Sequence, residues 1–454
     1  MPRDSPRDER RRSHDGPSTG DDGLAPSGGT FRALRGFNYR TWALGAAVSN
    51  IGTWMQRTAQ DWVVLTQLTH NNATAVGVVM ALQYGPQALF LPWTGYAADR
   101  FDRRKLLFVT QGALGLLALG LGLLTLSGLV QLWHVYVFAF LLGSVTAFDA
   151  PARQTFVSDL VTEADLPNAV GLNSTSFNAA RLVGPAVAGA LIAAIGSGWV
   201  FLLNALSFVA VLGSLARLRL RRKKPELQKN ARPLRGAGGL AEGFRYVRGR
   251  PDLRAILLLL VLFGTLGINF PIFISTMAVQ VFHGGPGKFG LLTSMMAIGS
   301  VAGALLSARR TEPDILVITV GALVFGGGLA LAAIMPSYTL FGLALVLVGV
   351  ASQTVTTTCI SVVQLSTETA MRGRVMALLL AITLGGTPLG APFIGWVVDR
   401  LGARWGVGVG AAGGFAAALV GVAYLVKHRQ LRLRFEGALP RFSLGARPSP
   451  TSYS

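Results

Sequence analysis

Asn50, Trp54, Arg57 and Asp61 follow one another at steps of four, three and four within an otherwise apolar stretch. On a helix that spacing lines up an amide, an indole, a guanidinium and a carboxylate along one face. Such a carboxylate can take up and release a proton, the guanidinium can hold an anion, and the indole offers flat apolar contact. Gln56 and Gln60 flank the stripe. Isolated polar groups recur in other apolar stretches: Asn173, Asn178 and Arg181, then Asn269, then Gln353, with Tyr84 and Phe177 adding aromatic surface. In hydrocarbon such groups are costly, so each is a candidate for lining an internal cavity. For the amides, hydrogen bonding between helices is the competing use. For Asp61, a proton-carrying role competes with a fixed salt bridge to Arg57 or Arg181. Counted from Thr41, Asp61 lies roughly 30 Å along its helix.

These groups stand in a chain of 454 residues that is 51% hydrophobic and only 14% charged. Soluble domains carry about a quarter charged residues, so the composition points to a polytopic membrane protein. The single cysteine, Cys359, excludes an intrachain disulfide framework and a multi-cysteine metal site, and no two of the five histidines have metal-ligand spacing. No metal and no cofactor is expected. A phosphate loop of the form G-x-x-x-x-G-K-[ST] is absent from the sequence, which argues against a nucleotide-driven pump. No convergent set of His, Ser or acid residues gathers at one membrane face, which argues against an enzyme.

A bilayer-crossing helix needs about 20 mostly apolar residues. Runs of that kind fall near 41–67, 74–94, 105–127, 133–152, 168–195 and 198–217, and again near 254–276, 287–308, 314–335, 338–361, 373–398 and 404–427. The expected architecture is therefore all-α, with twelve transmembrane helices as two halves, 31–216 and 254–427. A basic linker, 217–253, joins the halves and contains the amphipathic stretch "LAEGFRYV". Polar tails, 1–30 and 428–454, read as disordered, and the first lacks the apolar core of a signal peptide. The net charge of +20 follows the topology rather than a nucleic-acid partner. Of the 41 Lys and Arg, the loops opposite the termini hold only Lys288, Arg400 and Arg404, and Arg57 and Arg181 lie within spans. The positive-inside rule then places both termini in the cytoplasm. Internal repetition is also legible. "GALIAAIGSGW" (189–199) and "GWVVDRLGARW" (395–405) share Gly, Gly and Trp at the same offsets, at the ends of the fifth and eleventh spans.

Between the second and third spans "GYAADRFDRRK" packs two acids and four bases into seven residues, opened by Gly95. Topology accounts for the bases but not for Gly95 and Asp99. The pattern Gly95, Asp99, Arg100, Arg103, Arg104 resembles the loop motif G-x-x-x-D-R-x-G-R-[RK] of the major facilitator superfamily, with Asp102 in place of the second glycine. In the fifth span Gly171, Ala180, Gly184, Pro185, Ala188 and Gly189 resemble that superfamily's antiporter motif g-x8-G-x3-G-P-x2-G-G, with two glycines replaced by alanine. The bland reading of this second pattern is close helix packing with a proline kink. "NIGTWMQRTAQDW", "FDAPARQTFVSDLV" and "RGRVMALL" further resemble the enterobactin-exporter-like and drug-efflux branch, over about residues 31–430.

The resemblance implies a secondary active transporter, expected to be a monomeric, proton-coupled exporter in the cell membrane. Its cargo would be a small amphipathic molecule such as a drug, siderophore or secondary metabolite, carried by alternating access. An importer of a small solute is the alternative reading; a non-transporting receptor or enzyme is a weaker one. In that family the loop motif helps to hold the outward-facing state. Here Asp99 is expected to cap the N-terminus of the eleventh span near "RGRV". Asp149 and Arg153, at the end of the fourth span, are expected to pair with Arg103 or Arg104 and with each other.

Overall fold

The computed structural model describes residues 29–91, 93–94, 100–219, 236–310, 313–429, 432–436 and 439–443. The first half comprises α1 (Phe37–Trp62, extended by a π-helical turn over Val63–Leu68), α2 (Ala73–Leu89), α3 (Arg103–Leu126), α4 (Leu132–Leu160), α5 (Leu166–Ile195) and α6 (Ser197–Arg217). In the linker lies α7 (Gly236–Arg248). The second half comprises α8 (Pro251–Leu262), α9 (Phe270–Thr276), α10 (Pro286–Ala308), α11 (Ile315–Ile334), α12 (Tyr338–Ser366), α13 (Thr369–Leu401) and α14 (Ala403–Arg429). π-Helical turns over Phe263–Gly267 and Met277–Val281 run α8 and α9 into one broken span.

Among the described residues, ten segments are long and apolar enough to cross a bilayer, Pro251–Val281 counting as one. The helices α1 and α2 complete the expected twelve: the polar stripe dilutes α1, and α2 is only 17 residues long. Exposed Leu44, Val109, Leu116, Ile334 and Leu389 face outward, as lipid contact requires. Strand pairing among the described residues is confined to one short antiparallel hairpin, Arg432–Glu436 with Leu439–Ser443, within the C-terminal segment.

Local chemistry sets several helix ends. The Asn72 side chain accepts from the Ala75 N–H (2.9 Å) to cap α2. Asp102, which stands where the loop motif has glycine, accepts from the Lys105 N–H (3.0 Å) and caps α3. The departure from the motif is thus a helix cap. The break in the seventh span falls at Ile268 and Asn269, where Pro271 has no N–H to continue the ladder.

The sequence repeat has a structural counterpart. Gly196 and Gly402 end α5 and α13 with φ of +89° and +99°, a conformation side chains disfavour. Seven residues earlier, Gly189 and Gly395 each lie against the other half. A Cβ on either would stand 2.5 Å from a carbonyl oxygen, that of Pro286 or of Ala73. The first spans of the halves also end alike, in a π-helical turn followed by a positive-φ histidine, His70 or His283.

The start of α1, the end of α14 and the linker helix α7 meet one face of the bundle, here the terminal face; the opposite one is the far face. Two seams join the halves, α2 with α13 and α5 with α10. Toward the far face the seams carry hydrogen bonds. Asp399 accepts from the Ala73 and Thr74 N–H groups (2.7 and 2.9 Å) and from the Thr74 hydroxyl. Gln280 Nε2 donates to the Asn71 carbonyl (3.1 Å), and the Ser294 hydroxyl to that of Leu182 (2.6 Å). Trp62 stacks on Phe289 across the same region, ring centroids 6.2 Å apart.

Candidate functional site

Beneath that far-face seal lies a cavity of about 240 Å³ between the halves. Trp54, Arg57 and Asp61 of the α1 stripe line it, one helical turn apart, together with Tyr84 of α2 and Arg181 of α5. The second half contributes Phe270, Ile274, Phe289 and Met296 and the hydroxyls of Thr293, Thr383 and Thr387. All the charge on the wall comes from the first half.

The arginines are arranged around Trp54. The Arg57 guanidinium carbon lies 5.0 Å from the Trp54 ring centroid and that of Arg181 lies 5.7 Å from it, both within cation–π range. Arg57 Nη1 also donates a long hydrogen bond to the Tyr84 hydroxyl (3.5 Å) and lies 5.8 Å from the Tyr84 ring. Phe177 meets Trp54 edge to face at 5.8 Å. Among the described residues Asp61 forms no ion pair within 4.0 Å with either arginine. The fixed salt bridge weighed from the sequence is thus not present in this state.

A second cavity, of about 480 Å³, shares Arg57 with the first and lies wholly within the first half. It reaches Val157 and Val170, within about one turn of the terminal-face ends of α4 and α5. Asn50, Asn173, Phe177 and Asn178 line it, as does a buried network. There Arg153 pairs with Asp149 (3.2 Å) and donates to the Asn50 side-chain oxygen (2.8 Å). Asp149 also accepts from the Thr110 hydroxyl and the Gln111 amide, both at 2.7 Å. Gln56 accepts from Asn204 of α6. Gln60 is buried.

Several expectations are corrected. Asp149 does not sit at a helix end: α4 runs on to Leu160, eight residues past the apolar run, and leaves Asp149 buried inside the half. Asp149 and Arg153 pair with each other but not with Arg103 or Arg104. Arg103 instead pairs with Asp159 (3.2 Å), and Arg104 donates to the Leu215 and Ala216 carbonyls at the end of α6. Those bases fasten α3 within its own half. Gly95 and Asp99 lie outside the described residues; Arg100 is described. At the start of α13, Arg374 pairs with Glu242 of the linker helix (2.9 Å). Asn269 lines neither cavity. It is fully buried at the helix break and donates to the Thr265 carbonyl (2.7 Å). Gln353 lines neither cavity and bonds to Thr357 on its own helix (3.1 Å).

The antiporter-type residues split in the same way. Ala180, Gly184, Pro185, Ala188 and Gly189 are buried, whereas Gly171 is exposed. Gly184 seats α5 against Trp54 of α1, and Pro185 and Gly189 meet α10 across the seam. Their local work is close packing, including the placement of Trp54. Gln83, Asn204 and the three cavity threonines were missed from sequence, since hydroxyls and lone amides in apolar runs give no spacing signal.

Residues 28–434 match the model of a family described as transmembrane secretion effectors. The staphyloferrin A transporter of Staphylococcus aureus is 26% identical over 390 residues, covering 85% of this chain and 95% of that one. The enterobactin exporter EntS of Shigella flexneri is 27% identical over 391 residues, covering 84% and 88%. Among solved structures, a bacterial homolog of the human lysosomal transporter Spinster, inward-facing and unoccupied, superposes with a TM-score of 0.63 at 17% identity, covering 86% and 95%. A D-xylose–proton symporter does so with 0.67 at 13% identity, covering 87% and 98%. With twelve spans in two repeated halves around a central cavity, the chain is a multi-pass membrane protein and belongs to the transmembrane secretion effectors of the major facilitator superfamily, a family of transporters and not of enzymes.

Proposed function

We propose that the protein is a proton-coupled exporter of a small amphipathic molecule, working as a monomer in the cell membrane with both termini cytoplasmic. The observation that carries this reading is the cavity between the halves, with a carboxylate and two arginines on one wall and an apolar, hydroxyl-bearing surface on the other. The staphyloferrin A transporter and the enterobactin exporter support a cargo in that class, the second of them supports export, and the distribution of Lys and Arg supports the orientation. Under that orientation the far face is external, and the described state is sealed outward, with the second cavity running toward the cytoplasm.

Transport follows from rocking of the halves about the central site. Asn50, Trp54, Arg57, Asn173, Asn178 and Arg181 contact the cargo along its route. Asp61, the unpaired carboxylate, is the proton-coupling group, since a gradient-driven cycle needs a residue that changes protonation between states. Gly95, Asp99, Arg100, Arg103 and Arg104 form the cytoplasmic latch that engages when the far face opens. The test is Asp61→Asn in sealed vesicles with an imposed pH gradient. Loss of uphill accumulation, with downhill exchange at least partly retained, is the expected outcome. Undiminished uphill transport would remove Asp61 from the coupling.

A further inference from the structure

We infer that the transported molecule is an anion, held through a carboxylate or a group of like hydrogen-bonding shape by Arg57 and Arg181 against the Trp54 ring. The inference rests on the transporter reading above and names the chemistry of its substrate.

Three observations carry it. First, the arginines lack anionic partners. Among the described residues neither has a carboxylate within 4.0 Å, and the Arg57 Nε–H is buried without a partner. A guanidinium offers five donors, and Arg57 uses one of them, in the long bond to Tyr84. Elsewhere in the same half Arg153 has Asp149 and Asn50, and Arg103 has Asp159. A half-buried cation within a membrane span that lacks an anion is costly, and the cost is recovered when a ligand supplies one.

Second, the wall has a surplus of positive charge. Two arginines face one aspartate, and no acid from the second half lines either cavity among the described residues. A cationic or zwitterionic cargo would meet repulsion here with a single carboxylate to offset it. An anion meets two fork-shaped donors that both lie within 6 Å of the one Trp54 ring, at 5.0 and 5.7 Å.

Third, the remaining surface suits the body of an amphiphile. Phe270, Phe289 and Met296 oppose the arginines, and Thr293, Thr383 and Thr387 offer hydroxyls. At about 240 Å³ the sealed cavity is smaller than the ~300–1,000 Å³ typical of ligand pockets. The second cavity, about 480 Å³, begins at the same Arg57. A ligand whose anionic end sits on the arginines therefore has room for its body along the α1–α4–α5 wall, toward the terminal face.

The experiment uses purified full-length protein and equilibrium dialysis with three carboxylates (naphthoate, salicylate and citrate), naphthylmethylammonium as the cation and naphthamide as the neutral control. At least one carboxylate is expected to bind more tightly than the cation. Arg57→Gln and Arg181→Gln should each weaken that binding by roughly 10- to 100-fold, the loss of a charge-assisted hydrogen bond. Arg181→Lys should recover part of it. Monodispersity and helical circular dichroism identify any variant that fails to fold, and Arg181→Lys then decides. Preference for the cation, carboxylate binding unchanged in both Gln variants, or failure of every carboxylate to bind at millimolar concentration would overturn the inference. Flux in proteoliposomes separates the two levels. Gradient-driven movement of the cation without carboxylate binding sinks the anion site and leaves transport standing. Arginine-dependent carboxylate binding without flux of any probe does the reverse.

Discussion

Along α5–α10 the halves meet through small residues and bare backbone: Gly189 against Pro286, Gly290 against the Pro185 carbonyl, and a lone hydroxyl bond from Ser294. Along α2–α13 the same duplicated glycine recurs as Gly395, and Gly77 lies against Ala391. There, however, Asp399 also reaches across to the first N–H groups of α2. A carboxylate at a helix N-terminus satisfies donors that the helix cannot and complements its dipole. One seam is thus closed by shape and one neutral hydrogen bond, the other by shape plus a charge that must be released before the far face can open. Duplication supplied a common frame, and a single acid made one side of it harder to part.

Three substitutions probe that contrast, each read by labelling Thr293→Cys from the far face with a membrane-impermeant maleimide. The native Cys359 is fully buried and can be replaced by Ser for the purpose. Gly290→Val should act most strongly. Its added atoms meet a backbone carbonyl that cannot rotate away, so the cost exceeds the ~1–3 kcal/mol of ordinary overpacking. Far-face labelling should become nearly complete and transport should fail. If it labels like the parent, shape does not close that seam.

Asp399→Asn keeps an acceptor but loses the charge. The seal should weaken by about 1.5–3 kcal/mol, raising the far-open fraction roughly 10- to 100-fold. A variant as well sealed as the parent would mean that the acid contributes nothing beyond its neutral isostere. Ser294→Ala should do least, about 0.5–1.5 kcal/mol and at most roughly tenfold in labelling. An effect of Ser294→Ala as large as that of Asp399→Asn would erase the distinction between the seams.

What could be read from the sequence was what repeats or has a period. The α1 stripe appears at steps of four, three and four because a helix imposes them, and Trp54, Arg57 and Asp61 do share a cavity. The Gly–Gly–Trp echo appears because both copies need a positive φ and a close approach at the same offsets. Features that depend on where a helix stops were harder to see. The polar turns beyond residue 152 continue α4 and bury Asp149, whereas hydropathy alone ends the span and exposes it. Asn269 looked like a cavity amide because its role at a break follows from the backbone around Pro271, not from its own spacing. Asp399 carried no sign that its partner lies 326 residues away in the chain.

The asymmetry of the cavity wall has an electrical consequence. Carrying one elementary charge across the whole membrane field involves about 2.3 kcal/mol per 100 mV. Arg57, Asp61 and Arg181 all ride on the first half, so a rigid rocking motion tilts them together and moves them little along the field. With Asp61 ionised the three sum to one positive charge, and a monoanionic cargo brings the loaded site to neutrality. On the anionic-cargo proposal, the loaded bundle then passes between its two states carrying almost no net charge. On the proposed proton-coupled cycle, voltage sensitivity then falls on the proton, since the site's own charges hardly move along the field.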